Sequence, residues 1–144
     1  MTAGAGFLLA VLWFDLMFDV QVRGRREAEV PEPVLASIAA YYARVTTGAW
    51  PMNRLVATAM LATLAATVAQ VLGDDPRWVA WTSLALVVAA IALAGSHTVP
   101  NAVRLGTRAD PPAAQSRLAR AILRDHLVCL ALIVTLLAVQ FAGG

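Results

Sequence analysis

Four apolar blocks of near-membrane length govern what this chain can fold into. They run over about 3–22, 55–72, 78–95 and 121–141, and a helix rising about 1.5 Å per residue needs about 20 such residues to cross a hydrocarbon core. Composition points the same way. The 144 residues are 60% hydrophobic and 14% charged, with a mean hydropathy of +0.70, whereas an ordinary soluble domain carries about 25% charged residues. So little charge, with so much Leu, Val and Ala, excludes disorder, and a solitary Cys129 excludes a disulfide scaffold. The expected fold is all-α. It is a single domain over residues 1–144, an integral membrane four-helix bundle with an extra amphipathic cytoplasmic helix. The first block reads as a span and not as a cleaved leader, because no Lys or Arg precedes it and Asp15 and Asp19 lie inside it.

The arginines give the expected orientation. All eleven basic side chains are Arg, and only Arg77 lies between the second and third blocks. Arg23, Arg25, Arg26, Arg44, Arg54, Arg104, Arg108, Arg117, Arg120 and Arg124 lie in or beside the first and third loops, which share one membrane face. The positive-inside rule makes that face cytoplasmic and puts both termini outside. The all-Arg, Ala-rich composition is associated with GC-rich bacteria, so a bacterial inner membrane is the expected address. The formal charge of +2 then describes a basic collar facing lipid headgroups, with the bilayer as partner and no nucleic-acid module in the chain.

The connecting segments carry their own patterns. Between Pro31 and Thr47, the residues Val34, Leu35, Ile38, Tyr41, Tyr42 and Val45 recur at helical spacing, which predicts an interfacial amphipathic helix over about 31–47, ended by Gly48 and lying at the surface or packed under the bundle. Asp110 before Pro111 and Pro112 reads as the cap of a long fourth helix running to Phe141. Asp74, Asp75 and Pro76 predict a tight outer turn. Pro100 predicts a break in the third helix just after His97, freeing His97 and Asn101 to turn inward.

Polar residues converge at the cytoplasmic ends of the blocks. They are Asp15 and Asp19 on the first, Asn53 and Arg54 on the second, His97 and Asn101 on the third, and Arg124, Asp125 and His126 on the fourth. Asp15 and Asp19 are four apart and share a helix face. An ionised carboxylate inside a span needs a partner, so the cluster reads either as a structural ion-pair network tying the four helices together or, since intramembrane ionisable groups are functional candidates by default, as a binding or catalytic pocket. Arg54 or Arg124 is the expected partner of Asp15, and Arg23 that of Asp19. Asp15, His97 and His126 are the candidate catalytic groups; Asp19, Asn53, Arg54, Asn101, Arg124 and Asp125 are the candidate ligand-binding groups. Histidine would serve as general base and arginine would steady a developing oxyanion. No ligand-spaced motif joins the histidines and carboxylates, so neither metal nor cofactor is expected. Cys129 reads as a buried inert thiol.

The run His97, Val99, Pro100, Asn101, Leu105, Asp110, Pro111, with Arg124 and His126 further on, resembles the family of small four-helix membrane proteins that includes the anthrone oxygenases. That resemblance implies cofactor-free oxidation of a phenolic polycycle to a quinone, with His97, Asn101, Arg124 and His126 as the matched positions. Three functional readings remain open on the residues. One is an inner-leaflet pocket that binds, and oxidises or isomerises, a hydrophobic phenolic, quinone-like or isoprenoid molecule. Another is a non-catalytic scaffold that docks a protein partner or a second copy of itself. The third is a dimeric proton-coupled exporter built on Asp15.

Overall fold

The structure is a computed structural model that describes residues 1–24, 29–48, 50–73 and 76–143, and among these the chain is all helical. Helix α1 (Thr2–Asp19) closes in a 3-10 turn, Val20–Val22, and α2 (Glu32–Tyr42) widens into a π-helical turn, Ala43–Gly48. Then come α3 (Trp50–Leu72), α4 (Arg77–Leu93), a second π-helical turn (Ala94–Thr98), α5 (Val99–Thr107) and α6 (Pro112–Gly143). Four continuous stretches, Thr2–Val22, Trp50–Leu72, Arg77–Thr107 and Pro112–Gly143, are long and apolar enough to cross a membrane. The basic pair Arg25 and Arg26 and the expected turn at Asp74 and Asp75 lie outside the described residues.

Pro100 does not break the third long helix. The chain stays helical from Arg77 to Thr107 because the turn before the proline has widened. The Val99 amide donates to the Ala94 carbonyl five residues back, and the wider turn gives the pyrrolidine ring the space that an α-helical carbonyl would occupy. The sequence shows a proline and predicts a stop. The π-turn lets the helix absorb it.

α1, α3, α4 and α6 pack in a closed ring in that order, each antiparallel to its neighbours, so α1 lies diagonal to α4 and α3 diagonal to α6. Only a minority of the residues in the long helices are fully buried. In α3 the buried residues are Thr63 and Thr67 alone, and both hydroxyls return to their own helix, on Ala59 O at 2.7 Å and Leu64 O at 2.8 Å. At the end remote from α2, Gln70 and Gln140 exchange amide hydrogen bonds of 3.1 and 3.2 Å, and Gln140 also donates to Ser83 at 2.6 Å, joining α3, α4 and α6.

The larger apolar core sits at the other end, where α2 packs on α1, α5 and α6. Leu35, Ile38 and Tyr42 are buried there with Leu105, Ala119 and Ile122, and Val34, Tyr41 and Val45 pack against them. The expected stripe is thus the buried face, and α2 is a packed part of the fold, not a helix resting on an interface. It is also shorter than 31–47 as an α-helix, because Ala43–Gly48 takes the π form. Arg104 grips Asp110 through Nε (2.7 Å) and a terminal nitrogen (2.6 Å), so this carboxylate does not cap α6. That bidentate grip holds the Asp110 carboxyl below the ordinary carboxylate range. The turn between α5 and α6 carries Arg108 in the left-handed region (φ 56), with its guanidinium paired to Glu32 at the start of α2.

Gly106 marks the tightest contact between α5 and the turn after α2. A Cβ there would lie 2.9 Å from the Ala43 backbone nitrogen, and backbone cannot step aside as a side-chain tip can. Gly106→Ala is therefore expected to cost about 1–3 kcal/mol. Gly95→Ala, whose added carbon meets nothing within 4 Å, is expected to be neutral or stabilising. Melting temperatures of the two purified variants in one detergent check the contrast.

Candidate functional site

α1 and α6 build the site because each places polar residues in line with an apolar stripe. Leu8, Val11, Leu12 and Asp15 follow one face of α1, and His126, Cys129 and Ile133 follow one face of α6. With Val56, Met60 and Thr63 of α3 and Val87, Ala90, Ile91 and Ala94 of the third long helix, they enclose a chamber of about 130 Å³. Its walls are apolar and Asp15 and His126 form its floor. Val99 lines it and is half exposed, so the chamber lies one side chain from the outer surface.

Below the floor a hydrogen-bonded network ties three helices. His126 Nδ1 lies 2.6 Å from Asp19 Oδ2, and the Tyr42 hydroxyl donates to Asp19 Oδ1 at 2.6 Å. The Tyr41 hydroxyl donates to Asp15 Oδ1, also at 2.6 Å. His126 Nε2 is left 3.8 Å from Asp15 Oδ2, too far for a hydrogen bond. Asp19 is fully buried, yet both its oxygens are satisfied, as a buried carboxylate requires. Because Asp19 occupies Nδ1, the imidazole turns Nε2 toward Asp15 and the chamber, the usual way one ring nitrogen is fixed through the other.

Tyr41 and Tyr42 are the residues that sequence reasoning missed, since both read as members of the apolar stripe of α2. The available signal was chemical. A tyrosine on a buried face still has a hydroxyl to satisfy, and two adjacent ones had to meet acceptors somewhere under the bundle. Their phenols stay protonated donors. Burial, and then the hydrogen bond to Asp15, pushes Tyr41 well above the ordinary phenol range; burial, and then the negative charge of Asp19, does the same to Tyr42. Phe18 stacks on Tyr41 with ring centroids 4.0 Å apart, which fixes the direction of that hydroxyl.

The expected partners of the aspartates are corrected accordingly. Asp15 is bound by Tyr41 and not by Arg54 or Arg124, and the two oxygens of Asp19 go to Tyr42 and His126 and not to Arg23. A neutral hydroxyl costs far less to bury than a guanidinium, which explains the preference. Arg54 stays exposed and stacks over Trp50 at 4.3 Å, and exposed Asn53 donates to Thr46 O at 3.2 Å. Neither reaches the chamber.

His97, Asn101, Arg124 and Asp125 form a separate group on the seam between the third long helix and α6. His97 Nδ1 is paired with Asp125, whose carboxylate is buried and is also approached by Arg124 at 3.2 Å. Asn101 Nδ2 lies 3.4 Å from the His97 ring nitrogens. Adjacent residues on a helix point about 100° apart, so Asp125 and His126 serve different faces of α6. His97 does not turn into the chamber as expected; the π-turn places Thr98 and Val99 on the chamber wall instead. Among the described residues, no group of three or more His, Cys, Asp or Glu side chains is arranged to hold a metal ion. No protein-family model, curated protein or solved structure matches this chain.

The tyrosines make the fold sensitive to alkali. Unfolded Tyr42 ionises near its ordinary pKa of 10.0, while folded Tyr42 keeps its proton well beyond that. The unfolded state therefore binds fewer protons above that point, and stability falls as pH rises. The chain has no lysine to mask the effect. The contribution is fully present below pH 10 and declines above it by about 1.4 kcal/mol per pH unit. Chemical unfolding of wild type and Tyr42→Phe between pH 8 and about 11.5 checks this, with the steeper alkaline loss expected in wild type and the lower starting stability in the variant.

Proposed function

We propose that this chain is a four-span inner-membrane protein whose chamber binds a lipophilic molecule of single-ring width bearing a hydroxyl or carbonyl group. The membrane reading rests on the outward faces of the bundle. A 23-residue α3 with two buried residues would leave an apolar surface that no soluble monomer sustains. Exposed Trp50 lies at one end of α3 and exposed Trp78 and Trp81 lie just beyond the other, about 30 Å apart by helix rise, as interfacial aromatic belts require. Arg23, Arg44, Arg54, Arg104, Arg108, Arg117 and Arg124 lie toward the α2 end, which the positive-inside rule assigns to the cytoplasm, with both termini outside. Periplasm-active reporter enzymes fused to either terminus are expected to be active, and one inserted after Thr107 inactive.

The ligand reading is carried by one observation: Asp15 and His126 Nε2 stand side by side, 3.8 Å apart, in the lining of a mostly apolar chamber. A ligand oxygen between them would complete a hydrogen-bonded bridge that the protein leaves open, and the ring or chain behind it would fill the space between the four helices. The volume bounds the ligand. An apolar cavity of about 150 Å³ holds benzene, so about 130 Å³ suits one ring or a short chain. The polycycle implied by the anthrone oxygenase resemblance needs more room, and we place a phenol, quinol or isoprenoid head here instead.

In detergent or nanodiscs, phenol is expected to raise the melting temperature of wild type, and anisole, which cannot donate, to raise it much less. Ala90→Leu, which fills the chamber from the wall, is expected to abolish the phenol effect. Equal shifts with both compounds, or a full shift in Ala90→Leu, would remove the pocket from consideration.

A further inference from the structure

The floor of the chamber holds more than a recognition site needs. Binding a hydroxyl takes one acceptor. Here two proton-carrying groups face the same small volume, and each has its remaining valences fixed from behind. Asp15 Oδ1 is held by Tyr41 and leaves Oδ2 toward the chamber. His126 Nδ1 is held by Asp19 and leaves Nε2 toward the same point. The gap of 3.8 Å between Oδ2 and Nε2 is too long for the two to satisfy each other and short enough for adjacent atoms of one ligand to touch both.

We infer that this pair is an acid–base centre that shifts a proton within a bound ligand, and that the substrate class is a lipophilic single-ring ketone with a double bond one carbon removed from conjugation. The inference rests on the pocket reading above. Asp15 removes a proton from the carbon between the carbonyl and the alkene, and the C–H electron pair enters the ring as a dienolate. The carbonyl oxygen, gaining negative charge, is met by His126 Nε2–H, with Asp19 behind Nδ1 balancing the imidazolium. Asp15 then returns the same proton to the far alkene carbon, giving the conjugated ketone. One C–H bond breaks and one forms, and no electron leaves the ligand. The step needs no oxidant, reductant or metal. A phenol, which the pocket reading binds, has the planar oxygen-bearing ring of that dienolate and would act as its mimic.

The test uses full-length protein in nanodiscs with 3-cyclohexen-1-one as probe, following its conversion to 2-cyclohexen-1-one by proton NMR. Wild type is expected to accelerate conversion over empty nanodiscs, with competitive inhibition by phenol. Asp15→Asn and His126→Gln are each expected to lower the rate by about 100-fold or more while keeping a cooperative melting transition. Should either variant fail to fold, inhibition of wild type by the phenol and loss of rate in Ala90→Leu carry the same decision. If phenol binds but conversion in wild type matches empty nanodiscs, or if the rate survives both substitutions, the proton-transfer inference is overturned and the pocket stands. If phenol does not bind at all, the pocket reading falls first and takes this inference with it.

Discussion

The contact on which the rest of the arrangement depends is the buried Asp19 carboxylate, shared between Tyr42 and His126. A fully buried carboxylate is costly unless every lone pair finds a donor, and here the donors come from two other helices. One side chain thereby sets the register of α1 against α6 and fixes where α2 must dock. The tyrosine pair reaches α1 only if α2 lies under the bundle, and α2 lies there because Leu35, Ile38 and Tyr42 bury one face against α5 and α6. Polar satisfaction and apolar burial thus select the same geometry, the kind of agreement between levels that specifies a single fold.

The same network gives the chamber its chemistry. Asp19 and Tyr41 occupy the rear valences of His126 and Asp15, so the front atoms face an apolar space with little water to compete. The groups on the seam between the third long helix and α6 are of the same kinds but arranged differently. His97 is partly exposed and its partner Asp125 is buried beside Arg124, so this pair ties two helices together, whereas Asp15 and His126 line the chamber. What separates them is one residue of helical rotation, from Asp125 to His126. A bundle of four long apolar helices with so few polar side chains can hold two such networks only because successive helix positions address different neighbours.

How much was legible beforehand divides along physical lines. The four long helices follow from apolar block length, and the stripe of α2 from its three-and-four spacing. The aspartates and both histidines stood out because charge inside an apolar run is costly. Their partners do not follow from formal charge, which favours Arg54 and Arg124, because the low-dielectric interior selects neutral phenols. Pro100 misled for a related reason. A proline's effect depends on the hydrogen-bond register of the turn before it, and the shift to a π-turn leaves no local mark in the sequence.

The sequence alone determined the helical class, the four apolar stretches, the asymmetric placement of arginine and the chemical types available at one end, because these depend on local composition and periodicity. The tertiary structure decided which aspartate meets which hydroxyl, that His126 and not His97 faces the chamber, and that the chamber measures about 130 Å³. Those outcomes depend on helix rotation and on the closeness of backbones such as Gly106 against Ala43. Rotation and approach are settled by packing of α1 to α6 against one another, and no single segment encodes them.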